Sequence, residues 1–344
     1  MMMKAARLHE YGAPFVVDSV PRPDPDEGQV VVRIEGAGFC HSDMHVIDGD
    51  LKLDLILPMT LGHENAGVVA EVGHGVTAVK PGDPVAVYGG WGCGFCDMCI
   101  GGNEQMCSKP TWVGLSDYDG GYAEYLLVPH ERYLVPLKDL EPKVAAPFTD
   151  AALTPYRAIK RAMPLMTPDR AALVIGAGGL GQFGIKLLHL LTGSPIIAVD
   201  VNEEKLQIAR EYGAAFTLDG RDPEIIDQIR SIGSGIGVGA AFDFVGADST
   251  LELAFATTRP GGKVTQIGLA GGHAELKLFQ NLPFEVAFEG TLWGNIKELR
   301  EVIALAESGR LTPIELEFEP LDRINAVYEN LKAGKVPGRV VITP

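Results

Sequence analysis

Ala171-Ala172-Leu173-Val174-Ile175 is an unbroken apolar run of strand length that leads directly into Gly176-Ala177-Gly178-Gly179-Leu180-Gly181. Beyond the last glycine, Gln182–Leu191 reads as a helix and Ile196-Ile197-Ala198-Val199-Asp200 as a second buried strand. A G-x-G-x-x-G word alone is weak. Set between strand and helix, with an acid 19 residues past its last glycine, it restricts this stretch to a βαβ unit of a parallel sheet. The loop's Gly176, Gly178, Gly179 and Gly181, with Leu180 among them, let backbone approach a pyrophosphate, and the N-terminus of the helix that follows favours negative charge. Asp200 is placed to accept hydrogen bonds from ribose hydroxyls and to repel a 2′-phosphate, and Val201 and Asn202 bring no adjacent arginine. The pattern implies NAD as cofactor; a purely structural glycine turn is the plain alternative.

The alternation continues downstream. Lys205–Tyr212, Glu224–Ser231 and Leu251–Thr258 read as helices, and Phe216–Leu218, Ala240–Val245 and Lys263–Leu269 as strands, which predicts a doubly wound parallel sheet. Val245-Gly246 and Gly268-Leu269 close two of those strands, so Val245 and Gly268 are expected beside the nicotinamide. Tyr156–Met163, preceded by Thr154-Pro155, reads as a helix with proline in its first turn. The first third is different: Met3–Leu8, Val16–Val20, Val30–Gly36, Val68–Val72, Pro84–Val87, Ala123–Val128 and Tyr133–Val135 are short strand-like runs among Gly and Pro. They predict a small β-barrel or sandwich. A chain of 344 residues exceeds one ordinary core, so an α/β protein of two domains is expected.

Composition narrows the class. No apolar run is long enough to span a bilayer, and Lys4, Arg7 and Glu10 interrupt any leader-like core, so a cytoplasmic location without membrane contact is expected. A formal charge of −16 with no basic block argues against a nucleic-acid partner. Four of the five cysteines fall in Cys93-x2-Cys96-x2-Cys99-x7-Cys107. Four thiolates close a tetrahedral zinc shell and leave no open position, so this knuckle reads as structural. A redox pair is the alternative, but it leaves two further spaced cysteines unexplained. The fifth, Cys40, lies in Cys40-His41-Ser42-Asp43, upstream of Gly62-His63-Glu64. Cys40 and His63 are donor types that zinc prefers, and Asp43 is suited to orient His63.

Gly62-His63-Glu64, followed by Gly67 and Gly73, resembles the signature of the zinc-dependent medium-chain alcohol dehydrogenases, and the likeness runs from Lys4 to the C-terminus. It is greatest to bacterial members of broad range that favour secondary alcohols. The resemblance implies a GroES-like β domain over residues 1–152 and 293–344, around a Rossmann NAD-binding domain over 153–292. It implies one catalytic and one structural zinc per subunit. The third catalytic ligand then falls on Asp150, where many relatives carry Cys; one thiolate and one carboxylate still neutralise the dication, with a harder donor that makes cobalt or manganese exchange more plausible. Glu64 matches an occasional extra ligand.

By the same resemblance Ser42 accepts the alcohol proton and His45 delivers it to solvent, a surface histidine being the bland alternative. His41 lies near the cofactor pyrophosphate, and Arg339 matches a position that contacts it. Trp293 and Trp91 wall a substrate pocket or fill a core. The implied protein interconverts alcohols, secondary with primary and aryl also accepted, and ketones or aldehydes, as a homotetramer or homodimer. Two rivals stand beside it. A zinc-free reductase of activated double bonds lacks these ligands. A non-enzymatic NAD- and zinc-binding protein has little need of Ser42 beside Cys40.

Overall fold

The computed structural model describes residues 1–51, 53, 55–277 and 282–344. The chain divides into two compact units, Met1–Leu153 with Trp293–Pro344, and Thr154–Leu292, so the division falls after Leu153 rather than after residue 152.

In the first unit the strand Val30–Gly38 is the hub. Its β-branched, buried residues suit a central position. It pairs antiparallel with Glu64–Val72, Tyr125–Val128 and Arg339–Thr343 in a seven-stranded sheet, and a three-stranded sheet is centred on Met2–Leu8. The register positions chemistry. Gly38 opposes Glu64, so the chain leaving one strand at Cys40 lies beside the chain entering the next at His63. That approach requires glycine: a Cβ on Gly38 would sit 1.9 Å from Glu64 Oε2.

The second unit is a six-stranded sheet of parallel strands in the order Phe216–Asp219, Ile196–Asp200, Ala172–Ile175, Val238–Asp243, Thr258–Gln266, Ala287–Gly290. This is the doubly wound Rossmann order, whose switch point lies between Ala172–Ile175 and Val238–Asp243. Leu173, Ile175, Ile197, Val199, Ala241 and Val264 fill its core.

Several expected boundaries move. The helix expected from Gln182 begins at Gly179, because the last residues of the glycine loop already form its first turn. Among the elements outside the sequence reading are the helix His41–Ile47, the edge strand Ala287–Gly290, the helices Ile296–Glu307 and Ile324–Lys332, and the strands Leu316–Pro320 and Arg339–Thr343. Among the described residues no helix is long and apolar enough to cross a membrane.

Candidate functional site

Cys40 ends the hub strand's exit and caps the helix His41–Ile47, where its backbone N–H donates to Asp43 Oδ2 at 3.0 Å. His63 enters the next strand, and Asp150 follows the turn Ala146–Thr149. Folding brings the three together: His63 Nε2 lies 3.5 Å from Asp150 Oδ2, and Cys40 Sγ lies 4.0 Å from the same oxygen. With a Glu64 oxygen, these ligand atoms all fall within 4.8 Å of one another, and the four residues are buried. Donors held about 2.0–2.3 Å from one tetrahedral ion stand roughly 3.3–3.8 Å apart, so the set fits a zinc-sized cation.

The electrostatics agree. Burial works to lower the His63 pKa, yet Asp43, Asp150 and Cys40 together raise it well above the ordinary value. The pocket calls for positive charge. His63 Nδ1 sits 3.2 Å from Asp43 Oδ1, and because a carboxylate only accepts, Nδ1 donates there, leaving Nε2 as the nitrogen that would exchange its proton for a metal. The Trp293 indole stands edge-on to the His63 ring at 5.7 Å and donates through Nε1 to Thr149 O at 2.9 Å, next to Asp150.

Glu64 and Arg339 form a buried, two-pronged ion pair. Burial pushes the Glu64 carboxyl up to about 7 against the pull of Arg339, whose own proton is held more tightly than usual despite burial, through the charges of Cys40 and Glu64. Arg339, expected at a pyrophosphate, thus has a carboxylate partner inside the first unit. Ser42 Oγ lies 3.7 Å from Cys40 Sγ. His45 is partly exposed, with Nδ1 3.9 Å from Asp50 Oδ2, and His41 is an exposed first residue of its helix.

Cys93, Cys96, Cys99 and Cys107 also converge within 4.8 Å. The sulfurs of Cys96 and Cys107 are 3.7 Å apart, close to the ~3.8 Å of two thiolates on one tetrahedral zinc. Backbone N–H groups of Cys93 and Lys109 each reach Cys107 Sγ at 3.3 Å. The N–H groups of Cys99 and Ser108 draw the Cys96 thiol down to about 6, while burial pushes Cys99 up to about 12. Gly92 is obligatory, since a Cβ there would lie 2.5 Å from Cys99 Sγ. Trp91 packs edge-on against Tyr118 at 4.8 Å and donates to Tyr88 O, next to this knuckle.

In the second unit the glycine loop divides its labour. A Cβ on Gly181 would lie 1.9 Å from Gly176 O, so that glycine serves packing of helix on strand. Gly178 has nothing within 4 Å of where a Cβ would be, so protein packing does not explain it; the open side leaves room for a ligand's phosphates at the start of Gly179–Leu191. Asp200 Oδ2 accepts from Ala177 N at 2.7 Å and Oδ1 from Asn202 N at 3.0 Å. Val245 and Gly268 are in contact, a Cβ on Gly268 falling 2.2 Å from the Val245 carbonyl carbon. A cavity of about 750 Å³ is lined by Gly176, Asp200, Val201, Val245, Ala247 and Leu253 among others. Size, glycine edge and carboxylate fit a dinucleotide.

The sequence reading missed Tyr122. Its hydroxyl donates to Asp43 Oδ2 at 2.8 Å across 79 residues of chain, and no local pattern announces such a bond.

A nucleotide-type parallel sheet, joined in one chain to a β unit carrying a Cys-His-Asp set and a four-cysteine knuckle, defines a metal-dependent dehydrogenase. Comparison with known proteins makes the class specific. Residues 26–139 match the alcohol dehydrogenase GroES-like domain, and residues 179–308 match the zinc-binding dehydrogenase domain. The chain is 39% identical to an NAD-dependent alcohol dehydrogenase of Sulfurisphaera tokodaii, over 99% of its own length and 100% of the relative's. It is 35% identical to a D-arabinose 1-dehydrogenase (NADP(+)) of Saccharolobus solfataricus, over 99% and 97% respectively. The crystal structure of the alcohol dehydrogenase from Aeropyrum pernix superposes with a TM-score of 0.92 at 37% identity, covering 99% of this chain and 100% of that one. The chain belongs to the zinc-dependent medium-chain alcohol dehydrogenase family.

Proposed function

We propose that this protein is an NAD-dependent alcohol dehydrogenase that interconverts alcohols, secondary ones foremost, with ketones or aldehydes. The observation that carries the reading is the convergence of Cys40 Sγ, His63 Nε2 and Asp150 Oδ2 with Ser42 Oγ alongside. Zinc and NAD, when bound, supply a Lewis acid that eases loss of the alcohol proton and an acceptor for the hydride.

The chain's own residues do the rest. Cys40, His63 and Asp150 hold the catalytic ion, with Glu64 as an occasional fourth donor, and Cys93, Cys96, Cys99 and Cys107 hold the structural one. Ser42 Oγ takes the hydroxyl proton, and the partly exposed His45 ring passes it to water. Trp293, packed on His63, fixes the imidazole plane and keeps water from that face. Gly176, Gly178, Gly179 and Leu180 would seat the pyrophosphate at the start of the helix Gly179–Leu191, with Gly181 letting that helix pack on the strand, while Arg339, expected at the pyrophosphate, is held by Glu64 instead. Asp200, already oriented by the Ala177 and Asn202 N–H groups, would hold the adenosine ribose. Val245 and Gly268, in contact with each other, are the residues that would receive the nicotinamide end of the cofactor. Oxidation of one alcohol by one NAD yields one carbonyl compound, one NADH and one proton.

The assembly we infer is a cytoplasmic homotetramer with one catalytic and one structural zinc per subunit. Sedimentation and metal analysis check those two numbers.

NADH absorbance with primary, secondary and aryl alcohols, and with D-arabinose offered alongside NAD and NADP, tests the reading. Asp150→Ala should lower kcat/KM by more than about a hundredfold, past the range typical for loss of an outer hydrogen-bond partner, with the fold retained. Equal turnover by the variant would defeat the metal assignment. Absence of turnover by zinc-loaded protein in both directions would favour the binding-only alternative.

A further inference from the structure

Asp43 is fully buried, and each of its oxygens is engaged. Oδ2 accepts from Cys40 N at 3.0 Å, and Oδ1 faces His63 Nδ1 at 3.2 Å. One carboxylate therefore grips two residues of the metal set, Cys40 through its backbone and His63 through its ring. A buried carboxylate with this duty needs its own orientation fixed, and the helix His41–Ile47 that carries it is only seven residues long.

Tyr122 supplies the fixing contact. Its ring is fully buried, stacked on Phe39 at 5.5 Å with 15° between planes, with Phe15 edge-on at 6.0 Å. Its backbone is tied on both sides, N–H to Leu61 O at 3.0 Å and C=O to Ala6 N at 2.8 Å. The neighbouring chain makes room for the ring: a Cβ on Gly62, the residue before His63, would lie 2.8 Å from Tyr122 Cδ1. A phenol has one proton to donate. Asp43 Oδ2 lies at 2.8 Å and Gly38 O at 3.2 Å, so distance and charge both direct that proton to the carboxylate.

We propose that Tyr122 is a positioning residue for the catalytic metal set: through its hydroxyl it locks the Asp43 carboxylate, and through Asp43 the tautomer and plane of His63 and the backbone at Cys40. This rests on the reading of Cys40, His63 and Asp150 as metal ligands. Packing does not require the hydroxyl, since the stacked ring and its contacts would be the same in phenylalanine. The hydroxyl belongs to the metal site rather than to the core.

The test is Tyr122→Phe, read out by zinc release to a competing chelator and by the visible spectrum of the cobalt-substituted protein. Zinc should leave the catalytic set about tenfold faster, the lower end of the range for outer-partner changes, and the cobalt ligand-field bands should shift. Zinc held by Cys93, Cys96, Cys99 and Cys107 should be retained as in the parent, which also reports that the fold is intact. In an Asp43→Asn background the further effect of Tyr122→Phe should fall below about twofold. Zinc release within twofold of the parent with an unchanged spectrum overturns the proposal. So does an undiminished effect in the Asp43→Asn background, which would assign the loss to packing. Asp43→Asn is also a separate check that needs no change at Tyr122: parent-like zinc retention by that protein refutes a role exerted through Asp43. Asp150→Ala with an unchanged content of two zinc ions per chain would instead remove the metal reading itself, and the proposal with it.

Discussion

Asp200 uses one carboxylate for two purposes. Oδ2 accepts from Ala177 N inside the glycine loop, and Oδ1 from Asn202 N, while the group borders the cavity that also touches Gly176 and Val245. Replacing it with alanine would leave the Ala177 N–H without its acceptor and confuse loop damage with cofactor choice. Asp200→Asn removes the charge and keeps an acceptor for that N–H, at the cost of the Asn202 N–H, which then faces an amide donor; the NAD/NADP ratio, measured on one protein, is insensitive to that shared loss. A negative group several ångströms from a 2′-phosphate repels it by roughly 1–4 kcal/mol between water-like and protein-surface screening. The ratio of kcat/KM for NAD over NADP should therefore fall at least about tenfold in Asp200→Asn, equivalent to about 1.4 kcal/mol, chiefly through KM for NADP. Steady-state kinetics with both cofactors check this, and an unchanged ratio would place the discrimination elsewhere. Asp200 was legible because its meaning is local: strand, glycine loop, helix, strand, acid. Asp150 was not. It lies 110 residues from Cys40, and only the likeness to a family pointed to it before folding brought the two within 4.0 Å. Tyr122 had no signal at all, since a tyrosine in a glycine-rich turn reads the same whether its hydroxyl meets water or a buried carboxylate.

The edge strand Ala287–Gly290 shows how an element can escape sequence reading and still be tightly held. Its residues are largely exposed and show no clean alternation, so the period-two signal is missing. The helix Ile296–Glu307 did carry a signal: Asn295 and Glu298 form a capping box just ahead of an apolar-periodic run. What holds the edge strand is Glu289. Arg161, on the helix Leu153–Ala162, donates to it at 2.5 and 2.8 Å, and Lys263, on the neighbouring strand, at 2.9 Å. Hydrogen bonds from Arg161, with Lys263 adding to them, hold the carboxyl at about 2 against a usual 4.5. The folded-state pKa is depressed, so the stabilisation is fully present above about pH 4.5 and is lost as pH falls through 2. Glu289→Gln removes the titrating group. Plots of thermal midpoint against pH for the two proteins should be separated above pH 4.5 and converge between 4.5 and 2, the parent falling more steeply. Parallel curves would show that the cluster contributes nothing across that interval.

At the scale of the whole molecule, each compact unit carries its own core and its own ligand set. Both clusters of metal-ligating residues lie in Met1–Leu153 with Trp293–Pro344, and the dinucleotide cavity is lined by residues of Thr154–Leu292. The two sets differ in what order they impose. The loop through Cys93–Cys107 has few buried apolar side chains, and Phe95 and Ile100 are among the most exposed apolar residues of the protein. On the structural-zinc reading proposed above, its order would come from closure of the thiolate shell. The strand Ala172–Ile175, by contrast, is buried along its whole length and paired on both sides. A ligand that binds only the native form adds about 4 kcal/mol at a thousandfold excess over its dissociation constant, and that protection is felt where the ligand's removal allows local opening. Hydrogen exchange of the full chain should therefore change in two separate patterns. Stripping zinc with excess chelator should raise exchange most at Gly92–Lys109, next at Phe39–Met44 and Leu61–Asn65, and leave Ala172–Ile175 as it was. Adding NAD to the metal-loaded protein should slow exchange at Gly176–Leu180 and Val199–Val201, and leave Gly92–Lys109 unaffected. Loss of protection spread evenly over both units on chelation would mean that the metal sites support the global fold rather than the loops they close, and the structural role assigned to the cysteine knuckle would have to be widened accordingly.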